Sequence, residues 1–340
     1  MSPDADRKPK ALVLLSGGLD STLALSMMRE MGIDVTAVSF KTPFCNFDCG
    51  SGACGGKIGD TTLKYGVEWK PVSLGTEYLE IVKKPRHGYG SAMNPCIDCR
   101  VMMYGRAKEL MKELGADFVV TGEVVGQRPM SQNLNALGII ETESGLEGLI
   151  LRPLSAKLLE PTIPEKKGWV DRNKLLTIEG RSRHTQIEMA KAIGWKEYPN
   201  PSGGCLLTEK GFARRLKDLF QHEARPDQND IDLLKLGRHL RFSPMSKLVV
   251  GRDVVENSEI PPLARGSDVL LEVEKIMGPV GLLRGAFGHD ELVLAASIVA
   301  RYSDALKGVT AIVNCNCKAG AQSTVSVLPM PQGDVTKYIL

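Results

Sequence analysis

The sequence predicts an α/β protein: a doubly wound parallel sheet followed by a small α+β C-terminal domain. Three observations predict it. In the first half, short apolar, β-branched runs alternate with helical repeats. A glycine-rich turn joins the first such run to the first helix. Beyond a polar stretch, His222–Asn229, strand-like pieces accompany a single helix.

The first run, Ala11–Leu15, reads as a buried parallel strand. Leu19, Leu23, Met27 and Met31 repeat every four residues and mark a helix that Gly32 stops. Asp34–Phe40 is a second strand, Ala53–Tyr65 a helix ending at Gly66, and Val67–Val72 a third strand interrupted by Pro71. Met103, Ala107, Leu110, Met111 and Leu114 give a helix closed by Gly115, followed by strands at Asp117–Thr121 and Leu149–Arg152. Glu179–Gly194 and Gly211–Phe220 read as helices on either side of a Pro/Gly/Ser loop, Pro199–Cys205. In the last third, Lys247–Val250 and Asp268–Val273 read as strands and Glu291–Ser303 as a helix, whereas Cys315–Leu340 has little periodicity. The division expected is residues 1–198 for the α/β domain, 199–246 for a cysteine loop and connecting helices, 247–308 for the small domain and 309–340 for a tail.

Among 340 residues, 43% are hydrophobic and 24% charged, which excludes wholesale disorder, and no apolar run is long enough to span a bilayer. The polar start offers no signal-peptide core, so a cytoplasmic location is expected. The net charge of +3 is unremarkable, but it is unevenly spread. Arg152–Lys196 holds ten Lys and Arg against five Asp and Glu, whereas Leu248–Lys307 holds six against nine. The basic segment suits either a phosphate backbone or a solvated face.

Ser16-Gly17-Gly18-Leu19-Asp20-Ser21 lies between the first strand and the first helix. Its glycines let the backbone approach an anion, and the helix amino end and serine hydroxyls add donors, making a cradle for pyrophosphate. The Gly-Lys-Ser/Thr ending of a kinase or GTPase loop is absent. The hexapeptide resembles the loop of the PP-loop ATP pyrophosphatases. That resemblance implies ATP cleavage between the α and β phosphates, with Ser16, Gly17, Gly18, Asp20 and Ser21 on the pyrophosphate and Asp20 helping to hold Mg²⁺.

Eight cysteines in a chain without a secretory signal favour metal or thiol chemistry over disulfides. Cys96 and Cys99, three apart at a helix start, can face one metal, and the helix amino end is expected to lower their pKa. Zinc sites and redox pairs share that spacing. Cys205 stands in a second Gly-rich loop, and three thiolates suit a [4Fe–4S] cluster with one iron left open. Asn94–Arg100 resembles the corresponding segment of the tRNA 2-thiouridylases, with Cys96 where those enzymes carry Asp, which favours a cluster over a persulfide pair. Thr121-Gly122-Glu123, Gly126-Gln127, Ser131-Gln132 and Leu151-Arg152-Pro153-Leu154 are similar to the tRNA 4-thiouridine synthetases.

Together these resemblances imply an ATP-dependent tRNA sulfurtransferase. Adenine would lie near Phe40, Thr121 and Gly122, and a uridine carbonyl oxygen would be adenylated. Sulfur from free sulfide or a persulfide carrier would then replace it, with Asp20, Cys99 and Cys205 carrying the chemistry. Arg181, Arg183 and Lys191, in the basic segment, are the expected tRNA contacts. Cys45, Cys49 and Cys54 read equally as a flexible loop with free thiols or as a second metal site or sulfur relay, and Cys315 and Cys317 as a relay or, more often for such a pair, as incidental. Val250-Gly251-Arg252-Asp253 with Glu256-Asn257 resembles the start of the NFACT RNA-binding domain. Two other readings are an amidating or sulfur-transferring PP-loop enzyme acting on a small molecule, and a non-catalytic RNA-binding adaptor.

Overall fold

The computed structural model describes residues 7–45, 53–195 and 205–340. The chain divides into two compact units, Met1–Thr208 and Glu209–Leu340.

The first unit holds a five-stranded sheet of β1 (Lys10–Leu14), β2 (Asp34–Lys41), β3 (Glu68–Ser73), β4 (Phe118–Thr121) and β5 (Ile150–Leu151). The order is β3-β2-β1-β4-β5, and every pairing is parallel. Because successive side chains alternate faces, each central strand feeds two cores. Ala11 and Val13 of β1, with Phe118 and Val120 of β4, pack under helix Leu19–Glu30 against Leu23, Ala24 and Met28. Leu12 and Val119 point the other way, onto Tyr104, Ala107 and Leu110 of helix Cys96–Leu114. Burying each such large apolar side chain contributes roughly 1.5–3 kcal/mol. Pro71 is tolerated because β3 is an edge strand.

The chain runs outward from β1 through β2 to β3, then returns to place β4 on the other flank of β1. That reversal makes a crevice at the carboxyl ends of β1 and β4, the usual ligand position in such sheets. The glycine-rich loop follows β1, and Thr121-Gly122 closes β4.

One helix starts where the cysteine spacing placed it, and another differs from its expected limits. Helix Cys96–Leu114 begins well before its first strong apolar repeat, so Cys96 and Cys99 lie in its first turns, and Gly115 ends it at φ +63°. The helix expected over Glu179–Gly194 is confined to His184–Ala192. Glu179 instead bridges Val125, and Gly180, at φ +83°, donates its N–H to Val125 O.

The second unit is an antiparallel sheet of β6 (Arg238–Ser243), β7 (Ser246–Val250), β8 (Val269–Val273), β9 (Gly281–Gly285), β10 (Ala311–Cys317) and β11 (Gln322–Val327). Its order is β11-β10-β8-β9-β7-β6, with helix His289–Arg301 packed on one face. Residues 309–340 are therefore no tail: β10 and β11 complete the sheet, and Cys315 is buried in its core. Helix Lys210–His222 and the Asp227-capped helix Gln228–Leu234 belong to this unit, so the division falls at Thr208 rather than 198, and the polar stretch is a short turn between helices. No described helix is long and apolar enough to cross a membrane.

Candidate active site

The loop after β1 is shaped by its own residues. Gly17 adopts φ +75°, a left-handed conformation that glycine takes without steric cost. The Ser21 hydroxyl donates to Gly18 O at 3.0 Å and accepts the Ser16 N–H at 3.2 Å, holding the turn closed. Helix Leu19–Glu30 starts at Gly18 with no side-chain cap, so its first N–H groups are left to an anion. Gly122, after β4, rests directly on this loop: a Cβ there would lie 2.4 Å from Ser21 N and 2.5 Å from Asp20 C. The structure thus brings Ser16–Ser21 and Thr121-Gly122 together. Phe40, near the end of β2, is partly buried against the apolar cluster beneath helix Cys96–Leu114.

Asp20 is not on a solvent-facing loop. Its side chain is 13% exposed, with Arg183 Nη2 3.6 Å from Oδ2 and Gln127 Nε2 donating to Oδ2 at 3.3 Å. Burial raises its pKa, and Arg183, Gln127 and Gln186 oppose that rise. Oδ1 is buried and accepts no hydrogen bond. A buried, unpartnered carboxylate oxygen at the end of an anion cradle is a fitting ligand for Mg²⁺. Arg183, expected on the tRNA surface, is turned inward to Asp20, whereas Arg181 and Lys191 are exposed.

Sequence reasoning assigned no role to Arg100, Arg128 or Glu123, which the structure gathers beside this loop. Burial lowers the pKa of Arg128, and the positive charges of Arg100 and Arg183 lower it further, so three guanidinium groups share one region. Glu123, 3% exposed, pairs with Arg100 at 3.0 Å and with Arg152, 2% exposed, at 3.0 Å. Arg152 also pairs with Glu141. Arg100, Glu123 and Arg152 lay inside segments singled out as resemblances, and Arg128 lay beside one, but none was given a role of its own.

The cysteines converge in the same unit. Asn94 Nδ2 donates to Cys96 Sγ at 3.2 Å, and the Tyr78 hydroxyl donates to Cys99 Sγ at 3.1 Å. Cys205 is brought in by backbone pairing: Leu206 N–H donates to Phe44 O, and Met93 N–H donates to Leu207 O, one residue before Asn94. The charges of Cys96 and Cys99 each act on Cys205. Burial overrides the helix end at Cys99, pushing its thiol up to about 11, and pushes Cys205 to about 12. The expectation of a lowered Cys99 pKa is therefore reversed, and without a metal these two groups are protonated thiols rather than reactive thiolates.

Asp98, the nearest carboxylate on that helix, is engaged by the Arg86 and His87 N–H groups. Among the described residues, no three His, Cys, Asp or Glu side chains are set to hold a single metal ion. What converges is a purely sulfur donor set, which by its chemistry fits an iron–sulfur cluster better than a hard cation. Cys49 and the loop before Cys205 lie outside the described residues, as does the Cys54 side chain. Cys317, whose thiol donates to Gly266 O, belongs with Cys315 to the other unit's sheet.

The profile of the thiamine biosynthesis protein (ThiI) family matches residues 7–157. The match covers less than half of the chain and marks residues 7–157 as similar to that family. The matched span takes in the phosphate loop, Cys96, Cys99 and the Glu123–Arg152 pair, but stops short of Arg183 and Cys205. The profile of the NFACT protein RNA-binding domain matches residues 237–339, in line with the resemblance at Val250–Asn257. A probable tRNA sulfurtransferase of Methanosarcina acetivorans is 32% identical over 120 residues, 34% of this chain and 28% of that protein. A tRNA-specific 2-thiouridylase of Nitratidesulfovibrio vulgaris is 32% identical over 124 residues, 35% of each. The chain thus spans about a third of the curated relatives it matches. A crystal structure of a 4-thiouridine synthetase–RNA complex with bound ATP aligns at 23% identity and a TM-score of 0.40, covering 67% of this chain and 52% of that one.

Proposed function

We propose that the protein is an ATP-dependent tRNA thiolase that adenylates a uridine carbonyl oxygen and exchanges it for sulfur. The observation that carries this reading is the junction between the two chemistries: Gly122 rests on Asp20 and Ser21, and the adjoining Glu123 pairs with Arg100, the residue after Cys99. An adenylation loop and a sulfur-donor set are thereby built on one small framework.

In this reading, ATP lies in the crevice between β1 and β4. The Ser16–Ser21 loop and the helix amino end bind the pyrophosphate, and Asp20 Oδ1 holds Mg²⁺ there. Arg128 and Arg183 add positive charge where negative charge develops as pyrophosphate departs. Thr121 and Gly122 border the nucleoside. Cys96, Cys99 and Cys205 would hold a [4Fe–4S] cluster, with one iron free of these three thiols. When bound, that cluster supplies sulfide-level sulfur to the activated carbon. Arg181 and Lys191, exposed in the basic segment, contact tRNA phosphates. The NFACT-type unit supplies further RNA contact, and free sulfide or a persulfide carrier is the donor.

The test is direct. Asp20→Ala should abolish AMP and pyrophosphate formation in the presence of tRNA, and nucleoside mass spectrometry of tRNA from a strain lacking the protein should show a thiolated uridine missing. Normal AMP formation by the variant would sink the PP-loop assignment, and an unchanged nucleoside profile would remove tRNA as the substrate.

A further inference from the structure

A fourth cysteine joins the three already described. Cys45, just beyond β2, stands directly opposite Cys205 in an isolated antiparallel bridge. The bond from Leu206 N–H to Phe44 O, at 3.0 Å, makes this a pair of the non-hydrogen-bonded kind. In such pairs the facing Cα atoms lie about 4.5 Å apart and the two side chains leave the same side of the ribbon. Cys45 therefore delivers its thiol to the place where Cys205 delivers its own. Its charge acts on both Cys99 and Cys205. Its Sγ accepts the Thr42 N–H at 3.4 Å and lies 3.5 Å from the Thr42 hydroxyl.

We infer that Cys45 is the fourth thiol of this centre, an exchangeable ligand to the iron that Cys96, Cys99 and Cys205 leave without one. The inference rests on the cluster reading proposed above. A thiol held among three ligating thiols is a stronger donor to iron than water, so an iron open toward Cys45 would take it up. The Thr42 donors make the bond exchangeable, because hydrogen bonds to a thiolate draw off donor density and stabilise the sulfur once released. The exchange needs no oxidant or reductant. With the cluster bound, entering hydrogen sulfide would leave one proton on the released Cys45 sulfur and take its place on the iron as hydrosulfide. Cys45 would thus protect the open corner between turnovers and yield it to incoming sulfide.

The experiment compares anaerobic full-length wild type, Cys45→Ala and Cys45→Ser, each reconstituted with ferrous iron and sulfide and freed of excess. Iron per chain and ATP binding are measured first. Cyanide is then titrated against the reduced cluster, and the change in its electron paramagnetic resonance signal is followed. All three proteins should hold equal iron, and Cys45→Ala should respond at a cyanide concentration at least ten-fold below wild type, with Cys45→Ser between. Equal midpoints at equal iron would overturn the inference and leave the three-cysteine cluster standing. Iron lost from both variants with ATP binding intact would overturn exchangeability. No iron in wild type would remove the cluster reading itself, and this inference with it.

Discussion

Arg100 Nη1 lies 3.0 Å from Glu123 Oε1, and this ion pair ties the cysteine helix to the phosphate loop. Arg100 follows Cys99 on the helix, and Glu123 follows Gly122, whose backbone lies against Asp20 and Ser21. Arg152, after β5, holds the other carboxylate oxygen. Three neighbouring elements are thus fixed to one buried carboxylate.

Glu123→Gln should be strongly destabilising. Removing one partner of a buried ion pair leaves the remaining charges uncompensated, at a cost of about 3–5 kcal/mol. Burial alone would raise the Glu123 pKa, but Arg100 and Arg152 hold it below the usual value. A depressed carboxyl stabilises the fold above its unfolded pKa, about 4.3. That contribution disappears as pH falls through the folded value. Urea unfolding should therefore show a gap between wild type and variant that is full at pH 7 and shrinks below about pH 4. A gap that does not change with pH would mean that the carboxylate's charge is not what holds these elements.

Gly122→Ala should act on catalysis as well as on stability. The added Cβ would meet Ser21 N at 2.4 Å, and since that neighbour is backbone, the loop must move to relieve it. Misplacing a reacting group by about 1 Å costs on the order of 10²-fold in rate. Pyrophosphate release should fall by about that factor in protein that is still folded, and the thermal midpoint should fall too, because the clash is with backbone. Full activity in this variant would show that Gly122 does not set the loop.

The first strand, its glycine loop and the following helix were legible because their signals are local: an apolar run, two glycines and a four-residue repeat. The apolar repeat alone gives the helix bearing Cys96 only from Met103 onward, but the spacing of Cys96 and Cys99 already placed both at a helix start, where the helix begins. β10 alternates, with Ala311, Val313 and Cys315 inward and Asn314 and Asn316 between them, but the run is short and Ile312 on the outer face blurs it, while β11 is Ser/Thr-rich with few apolar residues. Cys45 beside Cys205, Arg183 on Asp20 and Arg100 on Glu123 are contacts across the fold. No spacing encodes them, so none of these pairings could be read from the sequence.

Arg183 and its neighbours should separate in their effects on tRNA. Arg181 and Lys191 are exposed, whereas Arg183 is 16% exposed and faces Asp20. Removing one cation from a phosphate lowers the slope of log affinity against log salt by about 0.7–0.9. Arg181→Ala with Lys191→Ala should flatten that slope by nearly twice this amount and leave ATP affinity unchanged. Arg183→Ala should leave the slope alone and weaken ATP binding. A flattened slope with Arg183→Ala would return that residue to the tRNA surface.

Cys205→Ala should lose iron and thiolation together while keeping ATP binding. The thiol arrives on a segment held by Phe44 on one side and Met93 on the other, through backbone hydrogen bonds that the substitution leaves in place. The phosphate loop is closed by its own serines and by Gly122, neither of which uses Cys205. Cys96→Ala and Cys99→Ala should behave alike, since removing any one thiolate leaves an iron without its protein ligand. Burial holds the Cys99 and Cys205 thiols protonated in metal-free protein, so loading iron must release protons, and the amount bound should rise with pH. Anaerobic iron and sulfide analysis, beside ATP titration of the same samples, reads all of this. Full iron in Cys205→Ala, or zinc in place of iron in wild type, would mean that the three thiols do not hold a cluster, and a persulfide route would take its place.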